Sequence, residues 1–170
     1  MRAFLTTVLL LICCGVTAQE KMAADTSACH SIGGIVNELL RLISSEEGKQ
    51  KNLEAIENLF LPTAHLTILM HDAAFPEPVE TVSLAEFMEL LADPYYEENF
   101  KEVELNRKVE EYNGIAQVFQ TYEAKDMDGE HVKGLTSYQL IYKDDRWWIV
   151  SALWTDNSNG HPIPPQYLGN

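Results

Sequence analysis

The chain has 170 residues, with 12 Lys and Arg against 26 Asp and Glu, which gives a formal net charge of −14 at pH 7. Proteins that bind nucleic acids or anionic membranes need a basic face, so this charge argues against both classes. Hydrophobic residues make up 46% of the chain, which is typical of one globular domain and excludes wholesale disorder.

The first 18 residues predict a secretory signal peptide. Arg2 precedes an apolar run over residues 3–14, and Val16-Thr17-Ala18 supplies an A-x-A-like cleavage site. The run is shorter than the roughly 20 residues that a membrane-spanning helix needs. A membrane anchor and lipid attachment at Cys14 are the alternatives, the second weakened because Cys13 is not the small residue expected before a lipidated Cys. We therefore expect an exported protein, periplasmic or secreted, without membrane attachment after cleavage.

Cleavage after Ala18 leaves Cys29 as the one cysteine of the mature chain, so an internal disulfide is excluded there. Its place in an apolar helical pattern predicts a buried thiol, with pairing between chains as the alternative. Residues 19–27 are predicted to be a linker, 28–157 the folded domain and 158–170 a tail with three prolines.

Three amphipathic helices are predicted from apolar residues at three- and four-residue steps. They cover Ala28–Ile43, Lys51–Phe60 and the segment from Ser83 to Asp93. Asp25 or Ser27 is the expected cap of the first helix, and Ser83 with Glu86 forms a capping box at the third. Gly33-Gly34 inside the first helix costs about 1 kcal/mol per Gly relative to Ala, which predicts close packing against the sheet.

Five strands are predicted from alternating and β-branched segments. They cover Ala64–Met70, Val103–Tyr112, Ile115–Lys125, Val132–Lys143 and Arg146–Thr155. Asn113-Gly114 is a two-residue hairpin turn between the second and third of them. The sequence therefore predicts an α+β fold, in which three helices of the N-terminal half pack on a curled antiparallel sheet.

The last strand is apolar on both of its predicted faces. One face carries Trp148, Val150, Ala152 and Trp154, and the other carries Trp147, Ile149, Ser151 and Leu153. A strand that is apolar on both sides is typically covered on both sides. The helices can cover one side, and a second subunit is the candidate for the other.

Several local segments occur in the order found in one known family. They are Leu59–Ala64 at a helix-to-strand junction, Ser83–Phe87 in a small helix, Ala116–Val118 after the Asn-Gly turn, and Trp147–Ser151 with Trp154 in the closing strand. Over residues 28–157 the chain resembles the cone-shaped α+β family named for nuclear transport factor 2 (NTF2-like). SnoaL-like polyketide cyclases, ketosteroid isomerase and scytalone dehydratase belong to this family, and the tail is similar to those of exported bacterial members. The resemblance implies a conical pocket between sheet and helices, and homodimers through the outer sheet face, but no particular reaction.

His71-Asp72 directly follows the first predicted strand. In the isomerase branch of the family a carboxylate near the end of this strand is the general base, so the resemblance makes Asp72 a candidate catalytic base with His71 or His65 as its partner. Asp72 lies further along the chain than that base would. A solvated His-Asp pair at a strand end is the alternative.

Five residues are predicted to line the conical pocket. They are His65, Tyr122, Tyr138, Ser151 and Trp154. A tyrosine hydroxyl in such a pocket can hold a carbonyl group or polarise an enol, while amphipathic packing is the alternative. No metal or other cofactor is predicted. The five histidines lack metal-ligand spacing, and the Asp126–Gly129 segment, which resembles the start of a calcium loop, is interpreted as a hairpin turn.

Acidic residues recur from 97 to 111 and predict a solvated face, or else a surface for a basic partner.

The function expected from the family resemblance and the aromatic-rich strands is binding of a small, largely apolar molecule, with acid–base chemistry of the isomerase, dehydratase or cyclase type. A non-enzymatic dimerisation or protein-interaction module is the alternative.

Overall fold

A computed structural model describes residues 26–44, 50–71, 78–93, 100–125 and 131–169. The helices are α1 (Ile32–Ile43), α2 (Leu53–Glu57) and α3 (Leu84–Leu91), with 3-10 turns at Ser27–His30 and Pro165–Tyr167. The strands are β1 (Phe60–Leu69), β2 (Val79–Ser83), β3 (Lys101–Tyr112), β4 (Ile115–Lys125), β5 (His131–Lys143) and β6 (Arg146–Asp156). The predicted α+β architecture is confirmed.

The six strands form one sheet in the order β2-β1-β6-β5-β4-β3. Neighbouring strands are antiparallel except β1 and β6, which pair in parallel. The sheet is therefore mixed rather than wholly antiparallel, because the β3–β6 meander returns its last strand beside the first strand of the chain in the same direction.

Ser31, and not Asp25 or Ser27, caps α1. Its hydroxyl accepts a hydrogen bond from the Gly34 N–H at 3.0 Å. Ser27 lies in the preceding 3-10 turn, and Asp25 lies outside the described residues. A Cβ at Gly34 would come within 2.1 Å of the Ala28 carbonyl oxygen, so this position of the helix has room for glycine but not for a larger residue.

The second helix is shorter than predicted, since it ends at Glu57 and Phe60 already belongs to β1. Pro62 lies within this strand, between the two places where β1 pairs with β6, at Phe60 and from His65 onward. An interrupted ladder accommodates a residue that has no backbone N–H to donate. Strand β2, which the sequence analysis did not predict, pairs along the other side of β1.

A β-bulge in β6 changes which side chains face the helices. Leu140 pairs with Ile149 and Gln139 with Ser151, so Val150 is an extra residue. The predicted division of this strand into two faces was therefore wrong, because the extra residue reverses the alternation. The helix-facing side carries Trp147, Ile149, Ala152 and Trp154.

The main core lies between the helices and one face of the sheet. Its fully buried members come from α1, α2, β1, β4 and β6, and include Ile35, Val36, Ile56, Phe60, Val118 and Ile149. In the described part of the chain, no helix is long and apolar enough to cross a membrane.

The C-terminal tail packs on the opposite face of the sheet. The Tyr167 carbonyl accepts hydrogen bonds from the Thr121 hydroxyl and the Asn106 amide. The Tyr167 ring lies 5.4 Å from the Phe119 ring, centroid to centroid. The tail thus covers β3 and β4 on their outer side.

Candidate functional site

A cavity of about 340 Å³ lies between the helices and the inner face of the sheet. Its walls are mostly apolar and include five aromatic side chains: Phe60, Phe87, Phe100, Tyr138 and Trp154. Its polar lining is Lys51, Glu80, Glu102 and Thr136. A largely apolar wall with a few polar groups is the usual composition of a small-molecule site.

Strand β3 turns the side chain of Glu102 toward this cavity and neighbouring apolar side chains toward solvent. Glu102 lines the cavity, while Val103 and Leu105 are both about two-fifths exposed, at 42% and 41%. The backbone of Glu102 is fixed by Ser44 at the end of α1, whose hydroxyl accepts from the Glu102 N–H at 3.1 Å. The position of this carboxylate is therefore set by both the sheet and the helix.

Burial raises the pKa of Glu102 from its usual value near 4.5 to about 7. A hydrogen bond of 3.4 Å from the Gln120 amide to a Glu102 carboxylate oxygen acts in the opposite direction and is the smaller effect. At neutral pH the carboxyl group is thus divided between its protonated and ionised forms.

Tyr138 and Gln120 extend this contact into a chain of hydrogen bonds. The buried Tyr138 hydroxyl donates to the Gln120 amide oxygen at 3.0 Å, and the Gln120 N–H donates to Glu102. Burial raises the pKa of Tyr138 well above its ordinary value, so the hydroxyl stays neutral. The hydrogen bond from Tyr138 orients the Gln120 amide so that its N–H groups point to Glu102 and favour the ionised form of that carboxyl group.

Tyr122 lies beside the cavity, across a glycine of β5. Its hydroxyl donates to the Thr155 carbonyl at 3.3 Å. A Cβ at Gly134 would lie 2.2 Å from the Tyr122 ring, so only glycine allows this approach. Burial raises the pKa of Tyr122, and the nearby Glu102 charge raises it further.

A partly buried ion pair within β3 also contacts α1, through hydrogen bonds from its arginine. Arg107 donates two hydrogen bonds to Glu104, at 2.9 and 2.6 Å. It also donates to the Gly33 carbonyl at 3.0 Å and to the Asn37 side chain at 2.6 Å. A Cβ at Gly33 would lie 3.1 Å from this guanidinium group, so the predicted close packing against the sheet is found at Gly33, whereas Gly34 packs against the turn before its own helix.

The structure brings two of the five predicted pocket residues to the cavity wall, Tyr138 and Trp154. Tyr122 lies next to them. His65 is exposed and pairs with Ser151, whose hydroxyl donates to the Gln139 side chain at 3.2 Å on the outer face. The β6 bulge explains the position of Ser151, since it reverses the alternation after Ile149.

The predicted His71-Asp72 pair is only partly described. The exposed His71 ring nitrogen Nε2 lies 3.0 Å from the Thr155 hydroxyl. Asp72 lies outside the described residues. Its catalytic role stays a prediction.

Glu102 was missed because the acidic run was interpreted as a solvated face. The available signal was the alternation over residues 101–105, which puts Glu102 and Glu104 on one side of a strand and Val103 and Leu105 on the other. The apolar side would ordinarily be assigned to the core. Among the residues with described positions, no group of three or more His, Cys, Asp or Glu side chains is placed to hold a metal ion.

No protein-family model and no curated protein matches this sequence. Solved structures are similar to it. An NTF2-like protein of unknown function from Pseudomonas putida has 8% identity and a TM-score of 0.55, over 86% of this chain and 95% of that one. A candidate dehydratase of the NTF2-like family from Streptomyces avermitilis has 14% identity and a TM-score of 0.54, over 75% and 94%. A candidate ketosteroid isomerase from Shewanella frigidimarina has 18% identity and a TM-score of 0.53, over 77% and 96%. The chain therefore has the NTF2-like fold.

Proposed function

We propose that this chain binds a small, largely apolar molecule in the cone cavity and that Glu102 performs acid–base chemistry on it. The observation that carries the proposal is a carboxyl group set in an apolar, aromatic wall, with a pKa of about 7. A group whose pKa lies near the working pH can both accept and return a proton, as general acid–base catalysis requires. Strongly shifted pKa values inside clefts are a recognised feature of functional sites.

The cavity volume and walls support a ligand of modest size. About 340 Å³ lies in the lower part of the usual range of small-molecule sites, roughly 300–1,000 Å³. The apolar walls bind the body of the ligand by removing its surface from water. The polar chain from Tyr138 to Glu102 lies on one side of the cavity and gives the ligand a preferred orientation.

The chemistry follows from the two forms of Glu102. The ionised carboxylate takes a proton from a bound molecule, and the protonated acid delivers it to another atom of that molecule. Isomerisation consists of such a paired transfer; in dehydration the acid protonates the hydroxyl group that leaves as water, and in cyclisation the proton transfers accompany formation of the ring bond. Asp72 remains the alternative base, so Glu102→Gln and Asp72→Asn variants of the same protein separate the two assignments.

Native mass spectrometry of the mature protein, purified from the exported fraction of its own host, tests the binding function. We expect a retained mass of a few hundred daltons, which a Trp154→Ala variant should lose. The retained molecule then serves as the substrate for comparing the wild type with the Glu102→Gln variant. An empty protein that also binds no member of a panel of apolar small molecules would contradict the proposal.

A homodimer formed through the outer sheet face is a second proposed function, favoured by one observation. Leu153 projects from the central strand β6 on the outer face and is 50% exposed. The 3-10 turn of the tail packs on β3 and β4. Export by the predicted signal peptide is likewise proposed, and residues 1–18 lie outside the described residues.

A further inference from the structure

Resting on the proposed binding function, we infer that the ligand of the cone cavity is an organic cation. It would be a compact apolar molecule with one basic nitrogen, held by the Glu102 carboxylate and by the faces of the aromatic wall. The inference is drawn from the charges that line the cavity, the rings around them and the pairing of the nearby cations.

The charged lining of the cavity consists of Glu102 and Glu80 against Lys51. Glu80 is exposed and Lys51 partly buried. Within the described residues, the influences on the pKa of Glu102 are burial and the neutral Gln120 amide, with no cationic side chain among them. In that part of the chain, the carboxylate lacks the positive partner that burial of a charge requires.

On the face of β3 that carries Glu102, the nearest cation is already engaged, while the adjacent Lys101 is exposed. Arg107 bonds to Glu104, to the Gly33 carbonyl and to Asn37, which together fix its guanidinium group against α1. It would have to break these contacts to pair with Glu102. A positively charged ligand supplies the missing partner without disturbing them.

Aromatic rings make up much of the remaining wall. Phe60 and Phe87 meet edge to face with their centroids 6.3 Å apart, and Trp154 and Tyr138 face the same cavity. The negative face of an aromatic ring attracts a cation, and Trp does so most strongly. A cation is stabilised in the cavity by both the rings and the carboxylate. A neutral analogue is stabilised only by burial of its apolar surface, and an anion is repelled by the carboxylate. The overall charge of −14 also concentrates cations near the protein.

The test uses three probes with the same apolar body: 1-adamantylamine, 1-adamantanol and 1-adamantanecarboxylate. Isothermal titration at about pH 8 measures the affinity of each for the wild type. We expect the amine to bind at least about tenfold more tightly than the alcohol, and the carboxylate most weakly. Glu102→Gln should bring the amine to within about threefold of the alcohol. Glu111→Gln, an exposed carboxylate on the same strand, is the matched control and should change nothing.

A second variant and a pH series make the test independent of Glu102→Gln. Trp154→Leu keeps an apolar wall but removes the ring, so it should weaken the amine more than the alcohol. Lowering the pH from about 8 to 6 should reduce the preference for the amine, because it protonates Glu102. Among the residues that the structure places, the ionisable groups around Glu102 are Glu104 and Arg107 on β3, Tyr122 on β4, Tyr138 on β5, and Lys51 and Glu80 in the wall. Both tyrosines have raised pKa values and stay neutral over this range.

The outcomes separate this inference from the proposed function. An alcohol or carboxylate that binds as tightly as the amine overturns the cation assignment and leaves the binding function standing. If none of the three probes binds to protein that circular dichroism shows to be folded, the binding function itself fails and the cation assignment fails with it.

Discussion

At Glu102, burial destabilises the ionised form of the carboxyl group. Burial raises its pKa to about 7, and the Gln120 hydrogen bond offsets only part of this. In the unfolded chain the pKa returns to about 4.5. Between these two pH values the folded chain holds a proton that the unfolded chain releases, so the free energy of unfolding decreases as the pH rises through this window.

The Glu102→Gln variant should therefore be more stable than the wild type at about pH 8. We expect a gain of about 1–2 kcal/mol, discounted for the solvent that reaches this side chain, with the difference shrinking toward pH 5. Urea unfolding at both pH values measures it. The exposed Glu111→Gln change on the same strand should show no such trend. A wild type more stable than Glu102→Gln at about pH 8 would show that the carboxylate is stabilised by its surroundings.

At Gly134, the space for a side chain is already occupied. A Cβ there would lie 2.2 Å from the Tyr122 ring and 2.5 Å from the Thr155 carbonyl oxygen. Gly134→Ala must displace Tyr122 and strain β6, so we expect a loss of at least about 2 kcal/mol. Thermal unfolding of this variant, compared with Gln139→Ala at an exposed position of the same strand, provides the measurement. Equal melting temperatures for the two variants would mean that β5 accommodates the added Cβ without a loss of stability.

Among the elements, β3 is held to α1 by hydrogen bonds from Arg107, which also forms an ion pair within β3. This ion pair is more buried than a similar pair at the surface. Arg107 and Glu104 lie 2.6 Å apart, with side chains 13% and 26% exposed. Arg41 and Glu38 lie at the same distance three residues apart, but the Arg41 side chain is 61% exposed. The first pair also satisfies the Gly33 carbonyl, so it fixes the strand that carries Glu102.

Replacing the arginine of each pair should give different costs. Arg107→Gln leaves Glu104 without its cation in a partly buried place, and we expect a loss of about 2–3 kcal/mol. Arg41→Gln should cost less than about 0.5 kcal/mol, because water screens the exposed pair. Chemical unfolding of both variants measures the difference, and adding Glu104→Gln to Arg107→Gln should recover part of the loss. Similar losses for the two single variants would show that burial does not strengthen the inner pair.

The strand boundaries of the meander were predictable because tight turns fix them. Asn113 and Gly114 have φ values of 48° and 84°, and β4 spans the predicted Ile115–Lys125. Asp144 and Asp145, with φ values of 54° and 58°, set the turn before β6 in the same way. Local sequence therefore determined the ends of these strands.

The inward face of the strands could not be predicted from the same local signals. One extra residue at Val150 reverses the alternation in β6, and the register of β3 shifts between Glu104 and Asn106. Both bulges depend on pairing with a neighbouring strand. Tyr138 and Trp154 were nevertheless predicted as cavity residues, whereas Glu102 became recognisable only once the inner face of β3 was known.

At the scale of the whole molecule, the sheet separates two surfaces with different surroundings. The inner face and the helices enclose the cavity, and the outer face is divided between the docked tail and an uncovered part around Leu153. Trp148 on the outer side is held within its own hairpin, since its ring nitrogen donates to the Lys143 carbonyl and Arg146 lies 3.9 Å over the ring. The uncovered part is therefore the portion available to a second copy.

The proposed homodimer makes this division testable. A half-exposed Leu153 near the centre of the face would be buried by a second copy, and a charge there would be costly to desolvate. We expect the wild type to be dimeric at micromolar concentration by size-exclusion chromatography with light scattering, and Leu153→Glu to be monomeric with its fold and ligand affinity retained. Leu105→Glu introduces the same charge at a comparably exposed position of the edge strand β3 and should leave the dimer intact.

Because the cavity lies on the opposite side of the sheet, a monomeric variant that still binds ligand would separate assembly from binding. A monomeric wild type would remove the dimer proposal, whereas a dimer unaffected by Leu153→Glu would place the interface elsewhere.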